Sequence, residues 1–513
     1  MKKIILYTLL ASVVMTSCRK YIAVNENPNT ATSTQANFVF ANALNSAARN
    51  MVGGMHITGG TWDGMYGHST SFTGGGQEKT YVFTNNDFNF WSGIYDNLND
   101  LQYVINNAQK DGYAYMVGPS MIVQVMMYQK LVDMYGNAPY TEALQGTDFI
   151  NPKYDDAASI YTALTAKLTQ AINIINASSF PSNEPSDLFF NGNALRWKQF
   201  ANTLKLRLIV RRSNVSGYNA ATDIATISAD GFIDAPVLCQ PPGGYLKTAG
   251  KLNWYYANWG FNENDAPTGD FRKMGGAIID WLKSSSDMFR LQRIASAKGD
   301  PNNDQFSNLP SDYAGVPLGG AGNPYLSSNV SAMGRMVVKK GDATRPITVM
   351  TDAEAYFLQA EARQRGWLAG SAQAAYEEGV RRDFRFVANV GMAYSTATQA
   401  QADAAANAYL TSGLANADWS ASTDKLKAIW VQKWIALVNV DGSEAWAEYR
   451  RTNSPSNPNG NIPSPYTAQS VATTQSQPVR LYYPIVENNS NGANVPLSGN
   501  SYVFNTRIFW DVN

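Results

Sequence analysis

The segment with the clearest potential for chemistry is the aromatic run from Lys251 to Phe261. It holds five large aromatic side chains within eight residues, together with two asparagines. Sugars present flat patches of C–H groups between hydroxyls, so a glycan site combines an aromatic surface with amide or carboxylate hydrogen-bond partners. The segment therefore predicts stacking and hydrogen bonding to a glycan by Asn253, Trp254, Tyr255, Asn258 and Trp259.

A second aromatic cluster comes earlier in the chain, at Trp62 and Tyr66, with Asp63 beside them. We predict that these two rings also stack on sugar and that the Asp63 carboxylate binds hydroxyls. A single aromatic residue in a long loop more often holds that loop against the core. The prediction is that at least one of the nominated rings belongs to a binding site.

A nucleophilic hydrolase is excluded by the order of its residues. The segment Gly67 to Ser71 resembles a nucleophile elbow, but Ser71 replaces the second glycine. Both histidines, His56 and His68, precede Ser69, whereas hydrolases with this motif place the histidine last.

Paired carboxylates leave one catalytic alternative open. Glycosidase acids are recognised by their separation in space, so sequence spacing does not exclude a glycoside hydrolase on a helical scaffold. The candidates Glu361, Glu444 and Glu448 fall in predicted helices, where ion pairs and caps are the commoner role. We therefore predict that the chain is not an enzyme.

The sequence gives little indication of a metal site or a phosphate site. Two Cys and two His are too few for a structural zinc cluster beside any other role. Asp300, Asn302 and Asp304 match the first spacings of a calcium loop but lack its later residues, which leaves a solvated turn with a small chance of structural calcium. Glu78 would repel phosphate in the glycine-rich segment 74–80. No cofactor is predicted.

The charge balance excludes nucleic acid as a partner. Lys and Arg together number 40, as do Asp and Glu, and no basic cluster accompanies the aromatic segments. Binding of single-stranded nucleic acid needs a positive groove beside its stacking rings.

The first residues predict export and a lipid anchor. Lys2 and Lys3 precede a 12-residue apolar run and then Thr16-Ser17-Cys18. That run is shorter than the roughly 20 residues of a membrane-spanning helix, so residues 1–17 are predicted to be a signal peptide. The segment resembles a bacterial lipobox, which implies cleavage before Cys18 and lipid on its sulfur. A plain secretory signal with an incidental Cys18 is the alternative.

The elements that must position these residues are mostly helical. Apolar residues recur at three- and four-residue steps, and Thr351 with Glu354 forms the pattern of a capping box. The helices pair into four hairpins of about the size of a tetratricopeptide repeat. The predicted pairs are 91–108 with 121–134, 156–177 with 193–213, 351–366 with 371–387, and 424–438 with 443–451.

Long segments rich in Gly, Asn, Pro and Ser separate these helices. Stretches of this length inside a folded protein are usually functional, and they should gather on one side of a helical scaffold. No linker divides the chain, so residues 18–513 are predicted to form one domain. The predicted loop insertions are 53–90, 240–275, 299–346 and 452–513.

Several motifs together resemble the SusD/RagB family of nutrient-binding lipoproteins from the outer membrane of Bacteroidetes. They follow one another along essentially the whole chain after the predicted anchor. The motifs are Asn25-Glu26-Asn27-Pro28-Asn29, Tyr135-Gly136-Asn137-Ala138-Pro139-Tyr140, Ala353-Glu354-Ala355-Tyr356-Phe357-Leu358, Gln432-Lys433-Trp434-Ile435, Glu444-Ala445-Trp446-Ala447-Glu448-Tyr449-Arg450-Arg451 and Arg480-Leu481-Tyr482-Tyr483-Pro484.

The resemblance implies a mostly α-helical superhelix with four tetratricopeptide-like pairs and a ligand face built from long loops. It also implies non-catalytic capture of a glycan, or in some members a peptide, for a SusC-like TonB-dependent transporter at the outer membrane. The protein would be lipid-anchored at the cell surface, although Arg19 and Lys20 lack the acidic export signal common in that phylum. A transporter-associated scaffold that binds peptides or no small ligand remains an alternative.

Overall fold

The polypeptide is mostly α-helical, as the sequence predicts. The computed structural model describes residues 34–72, 76–320, 323–453, 461–463, 477–499 and 501–512. The predicted signal peptide, Cys18 and the Asn25–Asn29 motif lie outside the described residues. Within the described residues, every helix is too short or too polar to cross a membrane.

The N-terminal half is built from long helices that pack one against the next. Helix α5 is the central one and is buried along almost its whole length, while α4 and α6 cover it. Asp156 caps α6 by accepting hydrogen bonds from the backbone of Ala158 and Ser159. The helices of this half are α1 (Ala36–Met51), α2 (Gly54–Trp62), α3 (Gly76–Thr80), α4 (Trp91–Asn107), α5 (Val117–Tyr135), α6 (Ala157–Ala177), α7 (Ala194–Arg211) and α8 (Ala220–Ile224).

The C-terminal half contains the remaining helices and ends on short ones. Each of the four predicted hairpins brings its two helices into contact, which is consistent with tetratricopeptide-like pairs. The helices are α9 (Trp254–Trp259), α10 (Gly276–Ser284), α11 (Met288–Ile294), α12 (Asp352–Gln364), α13 (Ala372–Val387), α14 (Gln399–Leu410), α15 (Lys425–Ala436), α16 (Gly442–Thr452), α17 (Ile485–Asn491) and α18 (Tyr502–Asn505).

Two small antiparallel sheets join distant parts of the chain. Strand β1 (Tyr66–His68) pairs with β3 (Arg272–Met274), and β2 (Val237–Cys239) pairs with β4 (Ile347–Met350). The β1–β3 sheet connects two predicted loop insertions, 53–90 and 240–275, whereas β2 and β4 lie just outside the predicted insertions. Buried apolar residues from Ala36 to Trp510 form one large cluster, and a smaller cluster lies among α12 to α15.

Only one of the two hydrogen bonds of the predicted capping box at Thr351 and Glu354 forms. The Thr351 hydroxyl accepts a hydrogen bond from the Glu354 backbone N–H, at 3.2 Å. The Glu354 carboxylate does not return to the backbone, because it forms a two-pronged ion pair with Arg207 at 2.8 and 2.9 Å. A complete capping box occurs instead at Thr398 and Gln401.

The prediction that segment 53–90 is a loop insertion is wrong in part, because helix α2 lies within it. This helix lies directly against α16, at a distance that only glycine permits. A Cβ atom on Gly442 would lie 2.1 Å from the His56 carbonyl oxygen, and one on Gly59 would lie 2.5 Å from the Gly442 carbonyl oxygen. The glycines that lower helix propensity here therefore allow two backbones to meet.

Candidate functional site

Helix α9 carries the aromatic segment and divides it between core and surface. Asn253 caps the helix by accepting a hydrogen bond from the Tyr256 N–H, at 3.0 Å. Tyr255 and Tyr256 then point into the core, while Trp254 and Trp259 are only half-buried. Their ring centroids lie 6.2 Å apart with the planes at 74°. We call these two residues the tryptophan ridge.

The ridge is held in place from below. The Trp259 indole Nε1 donates a hydrogen bond to the Val52 carbonyl oxygen at 3.0 Å. The half-buried Asn258 donates to the Trp254 carbonyl oxygen at 2.8 Å, which stiffens the helix between the two rings. Burying the polar edge of an indole while leaving part of the ring accessible creates a rigid apolar surface.

Each tryptophan of the ridge lines a pocket whose wall carries polar groups. Trp254 lines a pocket of about 360 Å³ together with Arg49, Asn50, Asn89 and Asp96. Trp259 lines another of about 250 Å³, which also contains Asp270, Arg272, Lys273, Ser327 and Ser328. Hydroxyl, amide and charged groups therefore surround two partly accessible indoles, which is the composition that sugar recognition needs.

A buried ionic cluster supports the second pocket. Arg272 donates to the Glu78 carboxylate at 2.5 Å, and His68 Nε2 lies 2.7 Å from the same oxygen. The Arg272 guanidinium carbon also lies 5.6 Å from the centre of the Trp259 ring. Glu78 lies on the short helix α3 and Arg272 on strand β3, so their ion pair joins these two elements on this side of the ridge.

The electrostatics of this cluster follow from its burial. Burial raises the pKa of Glu78, but the Arg272 charge and the His68 hydrogen bond outweigh it and lower the pKa to about 2. Burial lowers the pKa of His68. At neutral pH the cluster is therefore an ionised Glu78–Arg272 pair beside a neutral imidazole. The sequence around Glu78 indicates only that it would repel phosphate, and it does not reveal this role because the partner Arg272 lies almost 200 residues away.

The earlier aromatic cluster is part of the core, so its predicted ligand role does not fit. Trp62 is 0 % exposed and its indole contacts Trp446, with ring centroids 5.0 Å apart. The Tyr66 hydroxyl lies 2.8 Å from His56 Nε2 and donates to Asn439 Oδ1 at 3.1 Å. Neither ring offers a face to a glycan, because each is enclosed by other side chains.

The predicted ligand role of Asn253 and Tyr255 in the aromatic segment does not fit either, because both residues are buried. Asn253 uses its side chain inside the fold, since its Nδ2 donates to the Arg345 carbonyl oxygen at 2.8 Å. The Tyr255 hydroxyl contacts Met333 Sδ at 3.2 Å, and its ring packs against His56. Of the eight nominated residues, the structure leaves Trp254, Asn258 and Trp259 accessible.

Asp63 is also buried, and its carboxylate is unusual. The side chain is 0 % exposed, and neither carboxylate oxygen has a hydrogen-bond partner within the described part of the chain. Burial raises the pKa of Asp63 well above its ordinary value of 3.8. The neighbouring Trp434 indole acts in the opposite direction with a smaller effect, and the nearby Glu448 charge raises the pKa further. An isolated carboxyl in this position destabilises the folded state when it ionises.

Asp63→Asn is expected to stabilise the protein at alkaline pH. Because the folded pKa is raised, the parent protein is stabilised at acid pH and loses that stability as pH rises above about 4. The variant should match the parent near pH 4 and exceed its free energy of unfolding by about 1–2 kcal/mol at pH 8. Urea denaturation at both pH values measures this. The surface variant Asp148→Asn is the control, and a less stable Asp63→Asn protein at pH 8 would contradict the interpretation.

The carboxylates considered for hydrolysis lie inside the protein in ion pairs. Glu361 binds Arg451 at 2.8 Å, and Glu448 binds Arg451 and Arg211 at 2.7 and 2.6 Å. Glu444 binds Arg211 as well. None of the three reaches either ridge pocket, so they hold helices together and do not face a substrate.

The turn at Asp300 to Asp304, which has the first spacings of a calcium loop, bonds to its own chain. The Asp300 carboxylate accepts hydrogen bonds from the backbone of Asn302 and Gln305, at 2.9 and 2.7 Å. Asp304 instead pairs with Arg335 and Lys339. The described residues contain no group of three or more His, Cys, Asp or Glu side chains placed to hold a metal ion.

Comparisons with known proteins agree with this architecture. Residues 28–484 match the model of the SusD-like family described as starch-binding and associating with the outer membrane. Among the curated proteins compared, none matches the chain.

Solved structures with a similar fold include a SusD homologue from Bacteroides fragilis (TM-score 0.71, 20% identity, 93% of this chain and 99% of that one). Another is a chitin-binding SusD homologue from Flavobacterium johnsoniae (TM-score 0.69, 23% identity, 93% and 99%). A third is a SusD/RagB family protein from Bacteroides thetaiotaomicron (TM-score 0.72, 18% identity, 94% and 99%).

Proposed function

The chain belongs to the SusD-like family of outer-membrane-associated, starch-binding proteins, and on that premise we propose that it is a binding protein that captures an oligosaccharide without cleaving it. The observation that carries the proposal is the tryptophan ridge with its two polar pockets. The glycan would stack on Trp254 and Trp259 and donate or accept hydrogen bonds at Asn258, Asn50 and Asp270.

Sugar chemistry fits these surroundings better than other ligands do. The pockets bring amide and hydroxyl groups beside aromatic carbon, and their charged groups are of both signs. A structurally similar protein is described as chitin-binding, which supports a glycan as the ligand class. The identity of the sugar is open, because stacking on an indole selects for a flat C–H face and not for one linkage.

The proposal includes an anchor and a partner. Cys18 would carry lipid and hold residues 18–513, acting as one domain, to the outer membrane at the cell surface. A SusC-like TonB-dependent transporter would receive the captured glycan. The family description supports association with the outer membrane.

Calorimetry of the purified protein against an oligosaccharide panel tests the function. Maltoheptaose and chitohexaose are the first probes, with cellohexaose and mannohexaose beside them. We expect one class to bind with a Kd between about 1 μM and 1 mM, which corresponds to roughly −8 to −4 kcal/mol. Chromatography of the same mixtures should return the glycan intact. Turnover would favour a hydrolase, and a transporter complex without glycan binding would favour a scaffold.

A further inference from the structure

A third pocket lies beside the N-terminal end of α9. It encloses about 260 Å³ between strand β4, the end of α13 and the loop that follows α13. Asn253 and Tyr255 contribute to its wall, whereas Trp254 and Trp259 do not. The glycan proposal makes no use of this space.

Three arginines line the pocket, and Arg345 is the most unusual of them. Its side chain is buried, with 5 % of the residue exposed. Nε donates to the Asp342 carboxylate at 2.7 Å, and Nη1 donates to the Arg335 and Met336 carbonyl oxygens at 2.5 and 3.1 Å. Nη2 is buried and has no hydrogen-bond partner among the described residues.

The ring of Tyr394 does not provide a hydrogen-bond acceptor for Arg345 Nη2. It lies 4.1 Å from the Arg345 guanidinium carbon and covers the flat face of the cation. The N–H groups of a guanidinium point along its plane, so a ring over the face leaves them unused. A buried charged donor without an acceptor is costly, and such groups usually mark a missing partner.

Arg382 and Arg385 present further donors. Arg382 uses Nε on Glu378 at 2.6 Å and Nη1 on Asp352 at 3.0 Å. Arg385 uses Nε on Asp403 at 2.5 Å and Nη1 on Glu378 at 3.3 Å. These bonds leave Nη2 of both residues without an acceptor in the described parts of the chain, and both residues line the pocket.

The rest of the pocket wall restricts which ligands could accept hydrogen bonds from the three arginines. Apolar side chains make up much of it, so the ligand needs an apolar body: the wall includes Pro236, Leu238, Val337, Phe386, Val390 and Met392. Asp234 and Asp352 also line the pocket, and Asp342, Glu378 and Asp403 already pair with the three arginines. Because these carboxylates offset the arginine charge, a singly charged ligand fits better than phosphate, which would place up to two negative charges beside them. The charged Nη2 donor of Arg345 favours a carboxylate over a neutral acceptor.

We infer that this pocket binds a small organic carboxylate, with its carboxylate on the free arginine nitrogens and its apolar body against Phe386, Val390 and Met392. The pocket holds a molecule of about the size of a short aromatic or branched acid. This site is separate from the glycan site, so binding of the acid does not depend on the ridge.

Calorimetry with 3-phenylpropionate tests the inference, with 3-phenylpropionamide and inorganic phosphate as comparisons. The acid should bind, and the neutral amide and phosphate should each bind at least tenfold more weakly. An amide or phosphate that binds as well as the acid would overturn the carboxylate assignment, as would absence of acid binding at millimolar concentration.

Two variants locate the site without touching the buried bonds of Arg345. Thr348→Phe places a ring in the pocket from strand β4, and Arg385→Gln removes a half-exposed donor. Both variants should bind 3-phenylpropionate at least tenfold more weakly, while the temperature of their thermal unfolding stays close to that of the parent. Arg381→Gln is the matched control, because Arg381 lies on the surface of α13 outside the pocket wall, and this variant should bind the acid as the parent does. Unchanged acid binding by folded Thr348→Phe protein would place the ligand elsewhere and overturn the inference.

Discussion

Replacing Arg211 by methionine is expected to lower the free energy of unfolding by about 3–5 kcal/mol, or to prevent folding outright. Arg211 is fully buried between α5 and α16, where it binds Glu444 and donates to Glu448 at 2.6 Å. Without it, two carboxylates stay buried with less positive charge near them. Methionine keeps much of the volume, so the loss reports the charge and not a cavity.

The same network predicts a defined response to acid. Burial raises the pKa of Glu448, but the charges of Arg451 and Lys433 outweigh it and lower the pKa to about 2. A lowered folded pKa means that the ion pair stabilises the protein above the unfolded value near 4.5 and that this stabilisation is lost as pH falls toward 2. The difference between parent and Arg211→Met should therefore shrink in acid.

Urea denaturation followed by circular dichroism measures both effects. Arg381→Met is the matched control, because Arg381 forms its ion pairs with Glu377 and Glu378 on the surface of α13. The Arg381→Met substitution should lower the free energy of unfolding by less than about 1 kcal/mol. An Arg211→Met protein as stable as the Arg381→Met protein at pH 7 would show that the buried network is not a main source of stability.

The second large effect concerns the ridge. Trp254→Ala and Trp259→Ala should each weaken glycan binding at least tenfold, since each removes a stacking surface worth about 1.4 kcal/mol or more. The double variant should show no measurable binding at millimolar glycan. Both side chains are only half-buried, so the singly substituted proteins are expected to fold.

Trp367→Ala is the control for these variants. Trp367 is also half-buried but lines neither ridge pocket. Calorimetry with the glycan that binds the parent protein compares the parent with all four variants. Equal affinity in the parent and the double variant would remove the ridge from the binding site.

The sequence predicts the scaffold well, because long helices carry a strong apolar period. The predicted face Ile94, Leu98 and Leu101 is buried in α4, and the paired hairpins all form contacts. Helix α2 could not be predicted in the same way. Its glycines read as a loop, and only the crossing with α16 shows that they serve close backbone contact.

The site was only partly predictable, for a related reason. Trp254 and Tyr255 are adjacent and equally aromatic, and the phase of a short helix decides which of them reaches the surface. Asn253 as a helix cap was the one local signal of that phase. Some of the aromatic residues that enclose Trp62 are near in sequence, namely Tyr81, Phe83 and Phe88. The partners Trp446 of Trp62 and Asn439 of Tyr66 lie more than 370 residues away, so no local pattern could reveal them.

A crystal structure of the protein soaked with the tightest-binding glycan of the panel tests the central claim most directly. We expect sugar rings against the indole faces of Trp254 and Trp259, with hydroxyls at hydrogen-bond distance from groups in the two bordering pockets. A glycan found at another surface, with both indoles uncovered, would contradict it.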